Sequence, residues 1–459
     1  MKSEQRFVVN AIKLIADRKQ AANCLVEVFQ KDFASFTAAV SFQDPISICS
    51  LNSKSSKRLD LYEGIGGYVY LMTKLAQSPS VKFLEPLGFN KAKVLKSCKE
   101  LLENIDYLLR IRKNPEPLEN RISFCLGDSG VLVACMQAAL LIDDAKIFNS
   151  LYKKLIGLTN AVLSQVSDFC QEILYGVPGL LYSLLFAKKH FDGQAMPGLD
   201  DNILACYLAI IDVGINNYNS KLKHNSSEPF RLVYDFSGKE YLGGVHGLLG
   251  NIYILLQSLP HVKHKLTEKQ NESIHFIFKS LDLCVNRQLD NGNFPSGVIG
   301  GGSTLVQLCH GAPGAIGPLV KAAEILETLG QEYQQLYSAD KYIQSARKAA
   351  NIIWEEGILK KGFNLCHGIS GNAYAMLQLS KSSLISNDEQ RQWIDRAIHF
   401  MLLKRDPNFM KIISSYDLDC RFKTGVSDYP FSLMLGLAGD MSLEIDLLDG
   451  KCTFPGYDV

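Results

Sequence analysis

No charge of one sign dominates this 459-residue chain, in which 48 Lys and Arg face 47 Asp and Glu for a formal net charge of +1. That balance excludes the basic field of a nucleic-acid binder and the acidic tail that draws basic partners, and it points to a ligand that is small or locally recognised. Long apolar runs are missing as well. Stretches such as "YILLQSL" are too short and too interrupted to cross a bilayer, so at most a peripheral membrane association is expected. The first twenty residues lack the apolar core of a secretory signal, and Lys2 leaves no glycine to myristoylate. The chain therefore reads as cytoplasmic. Its 12 cysteines read as reduced thiols, most of them small core residues such as Cys135, Cys206 and Cys284. No proline- or serine-rich linker interrupts the chain, and residues 1–459 are read as a single domain.

What the sequence does contain is a repeat. Seven copies of Gly-x-x-Gly recur at long intervals, each opening an apolar run: "YEGIGGYVYLM", "FCLGDSGVLVACM", "ILYGVPGLLYSLL", "GGVHGLLGNIYIL", "LCHGAPGAIGPLV", "LCHGISGNAYAML" and "LMLGLAGDMSLEI". The first glycines, Gly64, Gly127, Gly176, Gly247, Gly311, Gly368 and Gly436, lie 63, 49, 71, 64, 57 and 68 residues apart. One such motif is common in any tight turn; seven at this spacing mark a repeat architecture. The run after each motif is apolar nearly all round, as in a helix buried on most faces. Between the motifs lie amphipathic stretches such as "ESIHFIFKSLDLCVNRQL" and "QWIDRAIHFMLLK", with apolar residues three and four apart. Seven inner and seven outer helices without polar terminal caps suit a closed ring, so the expected fold is all-α, an α/α toroid. The polar segment 214–240 is read as the long loop before the fourth motif, an insertion in preference to a lid.

In such a ring the turns that precede the inner helices converge on one end. His246, Cys309, His310, Cys366 and His367, each just before a motif glycine, are then expected together. Two thiolates and an imidazole are ligands of a tetrahedral Zn²⁺, and three protein ligands leave a fourth position open for a substrate. Spacing alone leaves a closed Cys₂His₂ site that includes His310 open, and the zinc-finger spacing Cys-x₂-Cys is absent.

With "YLGGVHGLLGNIYIL", "LVQLCHGAPG", "KKGFNLCHGISGNAYAML" and "PFSLMLGLAG", nearly the whole chain resembles the eukaryotic lanthionine synthetase C-like proteins, relatives of bacterial cyclases that close thioether rings. The resemblance implies a double ring of seven plus seven helices with Zn²⁺ on Cys309, Cys366 and His367, and leaves His310 off the metal. It implies glutathione as a partner, added to dehydroalanine or dehydrobutyrine in proteins or peptides to form a thioether. His246 resembles the family's acid/base histidine, and Glu172 sits where bacterial relatives place an acidic residue. Lys361 and Arg6 are the implied cations for the carboxylates of glutathione. The chain also departs from the pattern. Gly425 stands where relatives tend to carry arginine, with Arg421 and Lys423 as possible substitutes, and Asn364 replaces a usual glycine. Leu305, where bacterial cyclases often carry arginine, favours the eukaryotic branch.

Two other toroids fit less well. A prenyltransferase β-subunit needs an aspartate in its zinc ligand set, and a toroidal glycosidase needs paired carboxylates at the ring mouth; the turns here supply neither. The remaining alternative is a non-enzymatic scaffold that binds zinc and glutathione and signals through protein partners.

Overall fold

The computed structural model describes residues 14, 15, 17–39, 58–103, 117–223, 231–298, 305–415 and 429–459. Each Gly-x-x-Gly opens an inner helix, and the reason is steric. A Cβ on the second glycine would meet the carbonyl oxygen six residues earlier: Phe124 at 1.8 Å from Gly130, Leu365 at 2.0 Å from Gly371, and the equivalent oxygen at no more than 2.5 Å in the other five turns. The chain folds back over itself before every inner helix, and any side chain there would force the turn open.

The seven inner helices are Ile65–Gln77, Asp128–Leu141, Val177–His190, Leu248–Val262, Pro313–Thr328, Ile369–Ser380 and Leu437–Asp449. Each packs on the next, and the last returns to the first, so the ring closes. Their burial is nearly complete. Every residue from Asp128 to Ala139 is buried in the second, and every residue of Ile369–Ser380 in the sixth.

The outer helices bury one stripe only. Ala145–Leu163 buries Phe148, Leu151, Tyr152, Leu155, Leu158, Thr159 and Val162, the three-and-four spacing of an amphipathic helix. Such helices need conventional caps. Thr267 forms a capping box with Gln270 at the start of Glu268–Val285, and Asp144, Ser338 and Ser386 cap three others through their side chains. Six outer helices follow inner helices one to six, and the seventh outer place is taken by the N-terminal helix Arg18–Ala39, which packs on Asn387–Leu402 and Leu437–Asp449. A buried charge cluster fixes that closure. Lys404 Nζ lies 2.5 Å from Asp32 of the N-terminal helix, and 2.9 and 3.2 Å from Asp440 and Glu444 of the seventh inner helix. The described residues are thus all-α, with isolated bridges and no strand.

The last residues fill the axis of the ring. Phe454 is stacked on Tyr374, and Tyr457, 1% exposed, donates to the Gly314 carbonyl at 2.5 Å. Asp458 accepts from Tyr253 at 2.7 Å, and Gln257 donates to the Tyr457 carbonyl at 3.0 Å. Beside this tail the buried Lys74 is held by Asp446 at 2.7 Å and by Ser442 and Thr453, each at 2.9 Å.

Candidate active site

The turns before the inner helices share a register that sorts their side chains into three layers. Two residues before the first glycine stand Tyr62, Cys125, Leu174, Val245, Cys309, Cys366 and Met434, and all seven are buried. One residue before it stand Glu63, Leu126, Tyr175, His246, His310, His367 and Leu435, and all seven are at least partly exposed. Four residues before it sits a side chain that caps the turn. Asp60, Ser123, Glu172, Asn364 and Ser432 each accept the backbone N–H three residues ahead, at 2.5 to 3.2 Å. Asn364, the departure from the usual glycine, is one of these caps and holds the N–H of His367 at 2.9 Å.

Glu172 does two jobs because a glutamate has a second oxygen to spare. Oε1 accepts from Tyr175 N at 2.5 Å, and Oε2 lies 3.1 Å from His246 Nδ1. Burial raises the Glu172 carboxyl above its ordinary range, with the bond and charge of His246 pulling the other way. Burial also opposes charge on His246, but the hydrogen bond and charge of Glu172 outweigh it, and its pKa is raised.

The fifth and sixth turns bring two thiols together. Cys309 and Cys366 are hydrogen-bonded to each other, so the pair shares a proton: the bond from Cys366 lowers Cys309 to about 7, and the same bond with burial pushes Cys366 well up. The fifth turn differs from the rest in backbone as well. Gly311 has φ +104°, and the inner helix starts only at Pro313. Gln307, at the capping position of that turn, is free for another task. Its Nε2 donates to Cys309 Sγ at 3.0 Å, and its Oε1 accepts from Lys361 Nζ at 3.0 Å. Tyr62, from the first turn, hydrogen-bonds Cys366.

Burial and the ammonium of Lys361 hold His367 at about 4, so its imidazole is neutral at pH 7. His310 is lowered to about 4 by burial, His246 and Lys361, and its Nδ1 is buried without a hydrogen-bond partner among the described residues. The donors fit Zn²⁺ in kind: two thiols close enough to share a proton, one ionising near 7, and a neutral imidazole next in the chain. Among the described residues no three His, Cys, Asp or Glu side chains converge tightly enough to enclose an ion as they stand.

Of the residues expected from sequence, Glu172, His246, Cys309, Cys366, His367 and Lys361 therefore lie at this one end of the ring, and His310 beside them. Arg6 lies outside the described residues, as do Arg421, Lys423 and Gly425. Four residues were not anticipated: Tyr62, Gln307, Tyr175 and Phe236. The repeat register carries the signal for the first three, which stand two, four and one residues before a motif glycine. Phe236 carries none, because it belongs to the segment read as an insertion. The described part of that segment turns back sharply, with Ser237 at φ 54° and Gly238 at φ +76°, and lays Phe236 against His246. It covers the site.

The model of the family "Lanthionine synthetase C-like protein" matches residues 55–459. Glutathione S-transferase LANCL1 of Danio rerio is 28% identical over 340 residues, covering 74% of each chain. LanC-like protein GCL1 of Arabidopsis thaliana is 27% identical over 292 residues, 63% of this chain and 58% of that one, so the match spans less than two thirds of that relative. Among solved structures, Polysaccharide Lyase BACCELL_00875 covers 94% of this chain and 97% of its own at a TM-score of 0.38 and 11% identity, too distant to bear on the site. No helix among the described residues is long and apolar enough to cross a membrane.

Proposed function

This chain belongs to the lanthionine synthetase C-like family, and from that premise we propose that it adds glutathione to dehydroalanine or dehydrobutyrine residues of proteins or peptides, forming a thioether. The observation that carries the reading is that four consecutive turns deliver Glu172, His246, Cys309 and Cys366 to one place as two hydrogen-bonded pairs. The name of the Danio rerio relative, a glutathione S-transferase, supports glutathione as the thiol. Free cysteines throughout the described residues suit the reducing cytoplasm in which we place the reaction.

The reaction needs a nucleophilic sulfur and a proton returned to carbon. Bound by Cys309, Cys366 and His367, Zn²⁺ would supply the positive charge at which a thiol ionises near neutral pH. The addition forms a C–S bond at the β-carbon and moves the alkene π pair toward the α-carbon and its carbonyl. One proton must then reach the α-carbon, in place of the proton the thiol gave up. His246 is the group this chain offers for it. Glu172 fixes Nδ1 and favours the imidazolium, so His246 holds a proton to give. Gln307 orients Cys309 and keeps the Lys361 ammonium beside the thiol pair, where a glutathione carboxylate can meet it. Arg6 is proposed as a second cation for the same ligand.

The deciding experiment mixes zinc-loaded protein with glutathione and a dehydroalanine peptide and follows the peptide's mass. A gain of one glutathione, faster than in the protein-free control, is expected. A zinc-replete protein that gives no such product would sink the enzyme reading and leave a zinc- and glutathione-binding scaffold.

A further inference from the structure

Tyr175, at 45% exposed, is the one Phe, Tyr or Trp among the described residues whose side chain is exposed. The Tyr175 N–H is held at 2.5 Å by Glu172, the residue that also holds His246, which fixes the backbone from which the ring projects. It does not stand alone. Phe236 lies 5.7 Å away and 17° from parallel, and Phe236 in turn lies 5.0 Å from His246 at 12°. Tyr175 and His246 are 6.4 Å apart at 21°. The three near-parallel rings thus form one cluster with their centroids at the corners of a triangle, which puts the exposed tyrosine directly beside the imidazole.

The spacing suits an extended peptide. A strand rises about 3.3 Å per residue and turns alternate side chains to the same face, so residues i and i+2 are about 6.6 Å apart on one side. If the dehydro residue presents its α-carbon to His246, the side chain two residues away on that face arrives over Tyr175. We propose that Tyr175 and Phe236 form a subsite for an aromatic side chain two positions from the dehydro residue of an extended peptide substrate. Glutathione need not compete for this place, since Lys361 and the thiol pair belong to the fifth and sixth turns and Tyr175 to the third. The subsite rests on the function proposed above, and it adds a preference that the thiol chemistry alone does not require.

The test uses the full-length, zinc-loaded protein and three dehydroalanine peptides with Phe two residues before, Phe two residues after, or Ser at both places. One of the two Phe peptides is expected to exceed the Ser peptide in kcat/KM by about 3- to 10-fold, the worth of one aromatic contact, and mainly through KM. Tyr175→Ala should bring that ratio to about one, Phe236→Leu should reduce it, and Tyr175→Phe should keep it because the hydroxyl is not used. No preference in the unaltered protein, or one that survives Tyr175→Ala, overturns the subsite. A parallel measurement, fluorescence anisotropy with the same peptides carrying Ala in place of dehydroalanine, needs no turnover. If no peptide gains glutathione yet the Phe peptide still binds better and Tyr175→Ala removes the difference, the reaction is wrong and the subsite stands. Circular dichroism of each variant checks that the ring is intact, and Tyr175→Leu stands in should Tyr175→Ala fail to fold.

Discussion

Both ends of the ring carry polar groups on the axis, but they are finished differently. At the tail end the charged groups on the axis are paired. Lys74 is met by Asp446, Ser442 and Thr453, and Asp458 by Tyr253. At the turn end the groups are left wanting. Two thiols share a proton, the Nδ1 of His310 is buried without a partner, and the histidines one residue before the glycines stay partly open. A satisfied buried network makes a structure unique; an unsatisfied one at a mouth is available for a ligand. The comparison teaches that stability and reactivity have been assigned to opposite ends of the same helices.

The sharpest way to break that division is to remove metal donors. Cys309→Ala, Cys366→Ala and His367→Ala should each lose most of the bound Zn²⁺ by metal analysis, and His310→Ala should keep it. Chelated protein should remain helical by circular dichroism, since helix packing and the tail hold the ring. Unfolding on chelation would show that the turn end is structural after all. Equal zinc loss in His310→Ala would close the site with a fourth ligand and make the orphan Nδ1 its donor.

Next in size is the proposed proton donor, His246. His246→Ala should retain zinc and glutathione yet slow addition by about 10²- to 10⁴-fold, the usual worth of a positioned acid or base. Glu172→Gln should slow it less, because the amide still accepts from Tyr175 N but no longer favours the imidazolium. Full activity in zinc-replete His246→Ala would remove this residue from the mechanism, and zinc loss would turn it into a ligand.

The tail end gives the converse test. Asp446→Ala leaves the Lys74 ammonium, buried among Ser442, Thr453 and Tyr374, without its carboxylate, and breaking a buried pair costs about 3–5 kcal/mol. Thermal unfolding should fall accordingly, with the zinc content of the folded protein unchanged. A variant that kept its unfolding temperature but lost metal would erase the difference between the ends.

Much of this was legible in the sequence because the repeat is. Gly-x-x-Gly marks a turn in which any Cβ strikes a carbonyl, so the seven inner helices and their common register can be counted before any coordinate is known. That register alone gathered His246, Cys309, Cys366 and His367. Two things stayed hidden. The seventh outer helix comes from the opposite end of the chain, and no periodicity encodes the ion pairs of Lys404 with Asp32, Asp440 and Glu444 that help to tie it down. Phe236 was hidden for another reason: a polar segment around a tight turn reads as an insertion, and only folding brings one of its few apolar residues over the imidazole.

The smallest expected effect falls on Lys361, and it sharpens the comparison most finely because both ends carry lysines. Lys189, Lys321, Lys381 and Lys451 line a cavity of about 420 Å³ at the tail end, next to Asp458 and Glu324, with no thiol pair beside them. Lys361 instead sits where its ammonium lowers the pKa of Cys309, His310 and His367, and Gln307 accepts from it while donating to the Cys309 sulfur. An ammonium beside the thiol pair is placed to make a charge-assisted bond with the carboxylate of a thiol ligand. Lys361→Ala should weaken glutathione binding by about 1–2 kcal/mol, or about 5- to 30-fold in Kd by calorimetry. Lys381→Ala, whose ammonium is already on the Gly450 carbonyl at 2.7 Å, should leave it unchanged. Equal losses at the two lysines would mean that glutathione responds to general positive charge, and the turn end would then hold no special claim on its carboxylates.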